Sequence, residues 1–405
     1  MPRRHRMASG EGPEFRLACA CCVGWRRGAD RAVVGQILEA SGFDWERFLL
    51  IVDRHRIAGL AHLALAGAED VPEAPGRELA GRARSFAMAN LAAAALAGRL
   101  CRALEDCGMR VVVLKGAALA VQAYGDLAAR QSKDIDLLVG ERHVDAAVRV
   151  FLGMDMERVG PREGITGEQE RLWRRYRKDF RFRHRKSGHE VELHWRVVEN
   201  PYLVPAGFPG WEVERVSVGS SIALPGLSRR GLLPYLLVHG ATHGWSRLKW
   251  LADVAAVVGA MNEGEIRGAV ADGERDGMGA MMLQGLQLSA GLLGVPAADS
   301  LPAMSWRVRR LVGVGLAAVH AGGDVEEMTS EAMAPARVAA SQFLLGRGVR
   351  FRLFEVYTRL NYPEGWECAR VPARLQRFYF LVRVPLWGLR QMRLWMKSGG
   401  LPVRP

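Results

Sequence analysis

The sequence has no apolar run long enough to cross a bilayer. Stretches such as Leu91 to Ala97 are short and Ala-rich, well under the roughly 18 residues a spanning helix needs. The Arg-rich start has no apolar segment behind it of the kind a secretory signal carries, so a cytoplasmic location is the expectation. Cysteine is scarce, at six in 405 residues: Cys19, Cys21 and Cys22 crowd together while Cys101, Cys107 and Cys368 stand apart. That pattern excludes a disulfide framework. Cys19 and Cys22 have the spacing of half a zinc site, but no second Cys or His pair follows at a matching interval, and buried or idle thiols are the plainer reading. There is no internal repeat and no low-complexity tract. Acidic residues are the remaining shortage: the formal net charge is +13, and from Gly346 onward twelve Lys/Arg face three Glu. Such a bias suggests contact with a polyanion, whether nucleic acid, an anionic membrane face or a phosphorylated substrate.

What is present suits a globular chain of two or three domains, with 49% hydrophobic residues to build their cores. Residues 1–15 read as a polar, disordered leader in which Met7 competes with Met1 as the start. Residues 16–107 read as helical, with Trp45, Phe48, Leu49 and Val52 at helical spacing and an Ala/Leu-rich run from Leu79 to Leu104. Within 108–225 the pattern changes. Val111 to Leu114 is a short β-branched run, Lys115-Gly116 opens onto a helical stretch from Ala117 to Tyr124, and Asp134 to Val139 reads as a strand. A helix follows from Glu141 to Leu152, then two strands, Phe180 to Lys186 and Glu190 to Trp195, hinged at Ser187-Gly188. Residues 226–345 turn helical again, and 346–405 form a basic, aromatic-rich segment broken at Pro363, Pro372 and Pro385. The fold class expected is α+β: a small mixed sheet flanked by helical regions.

Side chains alternate faces along a strand, so Asp134 and Asp136 project to one side while Ile135 and Leu137 pack behind. Glu190, Glu192 and His194 likewise share a face. If the two strands are neighbours, three or four carboxylates converge, which is costly unless a cation neutralises them. Hard oxygen donors favour Mg²⁺ or Mn²⁺. An isolated Asp-x-Asp also fits a solvated edge strand. The context upstream favours phosphate chemistry, because Lys115-Gly116 places a glycine and backbone amides at the start of a helix; a plain strand-to-helix turn is the alternative.

Val113-Leu-Lys-Gly-Ala-Ala-Leu119, Tyr124, Arg130 with Asp134-Ile-Asp-Leu-Leu-Val139, and Val191-Glu-Leu-His-Trp195 resemble the family of uncharacterised nucleotidyltransferases within the polymerase beta superfamily. The likeness extends to His55-Arg-Ile-Ala-Gly59 and to His239-Gly-Ala-Thr-His-Gly-Trp-Ser-Arg-Leu-Lys-Trp-Leu-Ala-Asp253, covering residues from about 40 to about 260. It implies a nucleotidyltransferase core over 108–225 and a two-metal transfer of a nucleoside monophosphate from an NTP to an unidentified hydroxyl or phosphate acceptor, with release of pyrophosphate. Small-molecule, peptide or protein acceptors are favoured over nucleic acid. On matching positions Asp134, Asp136 and Glu192 would be catalytic metal ligands, with Glu192 helping to activate the acceptor. Lys115 and Gly116 would stand at the phosphate loop. Ala117 replaces the superfamily's usual Ser, so Lys115, Arg130 and Lys249 are expected to hold the nucleotide by charge.

Glu190, His194 and Asp253 are secondary candidates. Lys249 has two readings, a phosphate contact or an ion pair with Asp253 four residues on; His239 and His243 suit a hydrogen-bonded interface better than a metal. The basic run of Arg171, Arg174, Arg175, Arg177, Lys178, Arg181, Arg183, Arg185 and Lys186 is either a solvated face or an attractor for acceptor or triphosphate. Two other functions compete: a catalytically weak nucleotide sensor, and a basic RNA- or membrane-surface protein. The latter would use Phe378, Leu381, Leu389, Met392 and Met396 near one helix face, with Arg383, Arg390 and Lys397 on another.

Overall fold

Alternation along the strands divides the core in two, and the carboxylates fall on the face that helices cover only partly. The computed structural model describes residues 12–25, 31–39, 42–205, 207–208, 212–295, 301–321 and 334–360, with the single positions 378 and 381. The expectations for residues 1–11 and for the tail face of Leu389, Met392, Met396, Arg383, Arg390 and Lys397 lie outside these residues. Among the described residues no helix is long and apolar enough to cross a membrane.

Among the described residues five helices come first: α1 (Pro13–Gly24), α2 (Arg31–Leu38), α3 (Trp45–His55), α4 (Ala58–Leu65) and the 34-residue α5 (Glu73–Asp106). Helix α1 begins inside the stretch assigned to the leader. Pro13 at its first turn is a helix-start signal, and both Glu14 and Phe15 are buried. Cys19, Cys21 and Cys22 are buried in the same helix, where desolvation pushes the Cys21 thiol up to about 12. They pack as small apolar groups. Helix α3 is capped by Asp44, whose carboxylate accepts from the N–H groups of Glu46 and Arg47.

The sheet is built from β1 (Val111–Val113), β2 (Asp134–Val139), β3 (Met156–Gly160), β4 (Asp179–His184), β5 (Glu190–His194), β6 (Val213–Val218) and β7 (Ile222–Leu227), with α6 (Ala117–Tyr124), α7 (Val144–Leu152) and α8 (Gly167–Tyr176) between strands. Its spatial order is β3-β4-β5-β2-β1-β7-β6. The β2/β5 and β1/β7 pairs are parallel and the others antiparallel. Helices α9 (Arg229–Thr242), α10 (Leu248–Val258), α11 (Glu263–Arg275), α12 (Gly279–Leu293), α13 (Trp306–Ala321), α14 (Ala334–Gln342) and α15 (Val349–Leu360) complete an α+β fold.

On one sheet face Ile135, Leu137, Phe180, Phe182, Val191 and Leu193 pack with Leu100 and Leu104 of α5 and Phe151 of α7. On the other, Val112, Leu114 and Leu138 join a second core with α1, α4, α9 and α10. The second face carries the carboxylates, since Asp134 and Asp136 share the parity of Leu138.

Strands β1, β2, β4 and β5 lie where the β-branched runs and the hairpin turn place them, and Gly188 takes the positive φ, 71°, that such a turn requires. Strands β3, β6 and β7 and helix α8 were not expected. Strands β3 and β6 are the sheet edges, half-exposed and charged, so no apolar alternation marks them. Strand β7 contains Pro225 and Gly226, which argue against a strand. It survives because the one bridge it makes to β1 is at Gly226, not at the donorless proline. It also runs past residue 225, where the sheet region was expected to end, and α9 starts at Arg229.

The loop leading from α6 into β2 is clamped from two sides. Asn90 of α5 donates from Nδ2 to the carbonyls of Leu127 and Arg130, each at 2.7 Å. Gly59 of α4 lies so close that a Cβ would sit 1.8 Å from the Ala128 carbonyl oxygen. Gly59→Ala should therefore lower stability by about 3 kcal/mol or more, the upper range of overpacking. Gly81→Ala, at a mid-helix position of α5 with open space around it, should raise stability by about 0.5–1 kcal/mol. Urea unfolding of the two variants reads both; a Gly59→Ala protein as stable as the parent would mean that α4 does not seat on this loop.

Candidate active site

Strands β2 and β5 run parallel and in register, with Asp134 opposite Glu190, Asp136 opposite Glu192 and Leu138 opposite His194. The antiparallel β4 sets Arg181 opposite Glu192 and Asp179 opposite His194. Paired residues share a face, so the carboxylates of β2, β4 and β5 point into one space. Asp136 is 1% exposed. Its Oδ1 lies 3.1 Å from His194 Nε2, and that nitrogen is also 3.1 Å from Glu192 Oε2. Ligand atoms of Asp136, Glu192 and His194 all fall within 4.8 Å of one another. Asp134 stands to the side, its Oδ1 accepting from Lys115 Nζ at 2.8 Å. The same ammonium is 2.8 Å from Asp136 Oδ2, an oxygen that accepts no well-aligned hydrogen bond.

Lys115 reaches the aspartates from the turn between β1 and α6. Gly116 there has φ 74° and ψ −136°, a conformation that glycine adopts and side chains resist. The Leu114 N–H bonds to the Asp136 carbonyl at 3.1 Å and extends the β1/β2 ladder to the residue before Lys115.

Burial sets the electrostatics. Desolvation pushes the Asp136 carboxyl up, with Asp134 adding to the rise against Lys115. Asp134 is also desolvated, but Lys115 beside it holds it below the usual carboxylate range. Glu192 is likewise desolvated and is nevertheless held well down by His194 and Lys178. For His194, burial and Lys178 oppose its charge, yet bonds to Asp136 and Glu192 push it up to about 9. The cluster carries its own cations.

Two of those partners were not anticipated as site residues. Lys178 Nζ lies 2.5 Å from Asp179 Oδ2 and 3.5 Å from Glu192 Oε2. The hairpin contained the signal: counting back from Ser187-Gly188 pairs position 179 with position 194 and turns Asp179 to the carboxylate face. Lys178 came into view only as one charge in the basic run. Several other members of that run end in ion pairs: Arg174 with Asp145 and Glu170, Arg177 with Glu199, Arg183 with Glu190, Arg185 with Glu157 and Lys186 with Asp155. Glu190 is half exposed and bound to Arg183, one pair back from the converging group.

A cleft of about 550 Å³ lies over the carboxylates, with Lys115, Lys249, Arg130, Tyr235, His239, His243 and Trp250 in its wall. Arg130 is 4% exposed, and its Nε donates to both oxygens of Asp253 at 3.0 Å. Tyr124 donates its hydroxyl to the same carboxylate at 2.8 Å. Asp253 thus pairs with Arg130 rather than with Lys249. Lys249 donates to the Gln131 carbonyl at 3.3 Å and has no ion pair among the described residues. Desolvation, reinforced by Arg130 and Lys115, pushes its ammonium well below the ordinary lysine range. The His239 and His243 rings lie 4.5 Å apart, tilted by 55°, and both meet Trp250. Burial keeps both neutral, bringing His243 down to about 4.

The family model of the uncharacterised nucleotidyltransferases matches residues 41–294. The chain belongs to that family. No curated protein matches it. Membership supports nucleotidyl transfer as the general activity, and the matched span takes in every residue of the cluster.

Arg130→Met should cost about 3–5 kcal/mol, because it strands the Asp253 carboxylate in the core. Lys249→Met exchanges a desolvated ammonium without an ion partner for an apolar chain of similar length, and should raise the urea midpoint. A drop in the second variant would mean that Lys249 is compensated after all.

Proposed function

We propose that the protein is a metal-dependent nucleotidyltransferase that moves a nucleoside monophosphate from an NTP to a hydroxyl acceptor and releases pyrophosphate. The observation that carries this reading is the convergence of Asp134, Asp136 and Glu192 on one sheet face, across an in-register parallel pair, beneath a cleft with lysines in its wall. The donor set fits a divalent ion: ligand atoms of Asp136, Glu192 and His194 converge, Asp136 is 1% exposed, and the imidazole can give up its proton to a bound ion. Asp136 and Glu192, with His194 beside them, would hold Mg²⁺ or Mn²⁺, which would supply Lewis acidity toward the transferring phosphoryl group.

The remaining chemistry belongs to the chain. The acceptor oxygen bonds to the α-phosphorus, the bond from that phosphorus to the bridging oxygen breaks, and pyrophosphate leaves with its electron pair. Glu192, held ionised by His194 and Lys178, orients the acceptor hydroxyl by accepting its hydrogen bond. The acceptor's proton leaves along that hydrogen bond and passes on to solvent. Lys249 receives the triphosphate, whose charge offsets its desolvation. Arg130, already bonded to Asp253 through Nε, sets the position of the loop before β2 instead of gripping phosphate.

Glu192 also lines a second cavity of about 470 Å³, with Arg181, Arg183 and Glu190 around it. We place the acceptor there, on the side of Glu192 away from the lysines. Incubation with each α-labelled NTP, Mg²⁺ or Mn²⁺ and a cell extract should transfer label to one class of acceptor. Asp136→Asn should abolish transfer with the melting temperature intact, and Glu192→Gln should slow it about 10²-fold or more while nucleotide still binds. Normal turnover in either variant would remove that residue from the mechanism. Failure of Lys249→Ala to weaken binding of a nonhydrolysable NTP by about tenfold or more would put the phosphates elsewhere.

A further inference from the structure

We infer that Lys115 takes the place of one of the two cations that a pair of catalytic aspartates would otherwise collect, so that the site takes up a single divalent ion, on the Glu192 and His194 side of Asp136. The inference rests on the metal-dependent reading above and adds the number of ions and the ligands that hold them.

The two oxygens of Asp136 serve opposite directions. Oδ2 faces the ammonium of Lys115 at 2.8 Å, and Oδ1 faces His194 at 3.1 Å, with Glu192 the same distance beyond. Asp134 belongs to the lysine side. It accepts from Lys115 at 2.8 Å, and it is not among the three residues whose ligand atoms converge. One tethered cation thus bridges both aspartates, and one group of donors remains.

The lysine is anchored as well as close. Its side chain is 14% exposed. The Leu114 N–H is bonded to the Asp136 carbonyl, and Gly116 fixes the turn that follows. The root of the side chain is therefore part of the sheet that carries the aspartates, which keeps the ammonium within reach of both carboxylates. A divalent ion entering between Asp134 and Asp136 would meet a positive charge at contact range in a partly desolvated space, where such repulsion is strong. On the other side of Asp136 the nearest ammonium, that of Lys178, stands farther off, 3.5 Å from Glu192, and the third donor is an imidazole, which can give up its proton to an incoming ion. Ala117, where a phosphate-binding hydroxyl is absent, leaves Lys115 as the functional group that this turn offers.

The test is Mn²⁺ binding by full-length protein without nucleotide, read by loss of the free-ion paramagnetic resonance signal. The parent should bind one ion per chain. Lys115→Met should bind two, and Lys115→Arg, which keeps the charge, should stay at one. Asp136→Asn should lose the ion, whereas Asp134→Asn should keep it. Two ions in the parent, no gain in a folded Lys115→Met protein, or loss of the ion in Asp134→Asn would each overturn the assignment. Should Lys115→Met not fold by circular dichroism, the parent stoichiometry and Asp134→Asn decide. Two ions in the parent would leave the metal-dependent reading standing and remove only the role of Lys115. No ion in any form would remove both.

Discussion

Four carboxylates side by side, Asp136 and Asp179 buried and Asp134 and Glu192 partly so, repel one another strongly, and the structure around them is arranged to supply positive charge. Asp134, Asp136, Asp179 and Glu192 lie on one sheet face; Lys115, Lys178 and His194 stand among them at ion-pair distance. Each cation has its own structural requirement. Lys115 needs a turn that only glycine forms easily, Lys178 needs the β4/β5 hairpin in one register, and His194 needs β5 to lie beside β2. A slip of one residue along any of these strands would turn the charges to the opposite face, into the apolar core of Phe180, Phe182 and Val191. The hydrophobic alternation that buries one face is thus what keeps the other face in register.

A second buried charge network joins the helical half to the sheet. Arg130 before β2, Tyr124 on α6 and Asp253 on α10 form one hydrogen-bonded set. Removing any member leaves a polar group unsatisfied in the core, so the set fixes how α10 sits over the carboxylates. Its consequence is the isolation of Lys249. With Asp253 taken by Arg130, the lysine one helical turn away faces the cleft without an ion partner among the described residues, an arrangement unfavourable in the resting protein and favourable once an anion enters. The protein retains a local cost to stability at the point where we propose that phosphate binds.

The dense positive run from Arg171 to Lys186 illustrates how little a charge count says about use. Arg174, Arg177, Arg183, Arg185 and Lys186 end on carboxylates of neighbouring elements, contributing modestly to stability where they are exposed. Lys178 of the run enters the carboxylate cluster, and Arg181 stands opposite Glu192 on the neighbouring strand. Side-chain direction separates these fates, and it follows from strand parity and from the end of α8 at Tyr176.

What the sequence determined by itself is local. The Asp134 to Val139 and Glu190 to His194 strands, the glycine turn at Lys115-Gly116 and the helical stretches after Pro225 are set by periodicity and by residues with restricted backbones, which act within a few positions. Asp134 and Asp136 share a face for the same reason. The tertiary structure decided what depends on which elements meet. It paired β2 with β5 in parallel, a contact spanning more than fifty residues of chain, and so made Glu192 rather than Glu190 the neighbour of Asp136. It gave Asp253 to Arg130 instead of Lys249. It formed β3, β6 and β7 from segments whose composition argues weakly for strands or against them, because hydrogen bonds to a neighbouring strand outweigh weak local preference. Short-range sterics are written residue by residue; charge pairing and strand neighbours are properties of the packed chain.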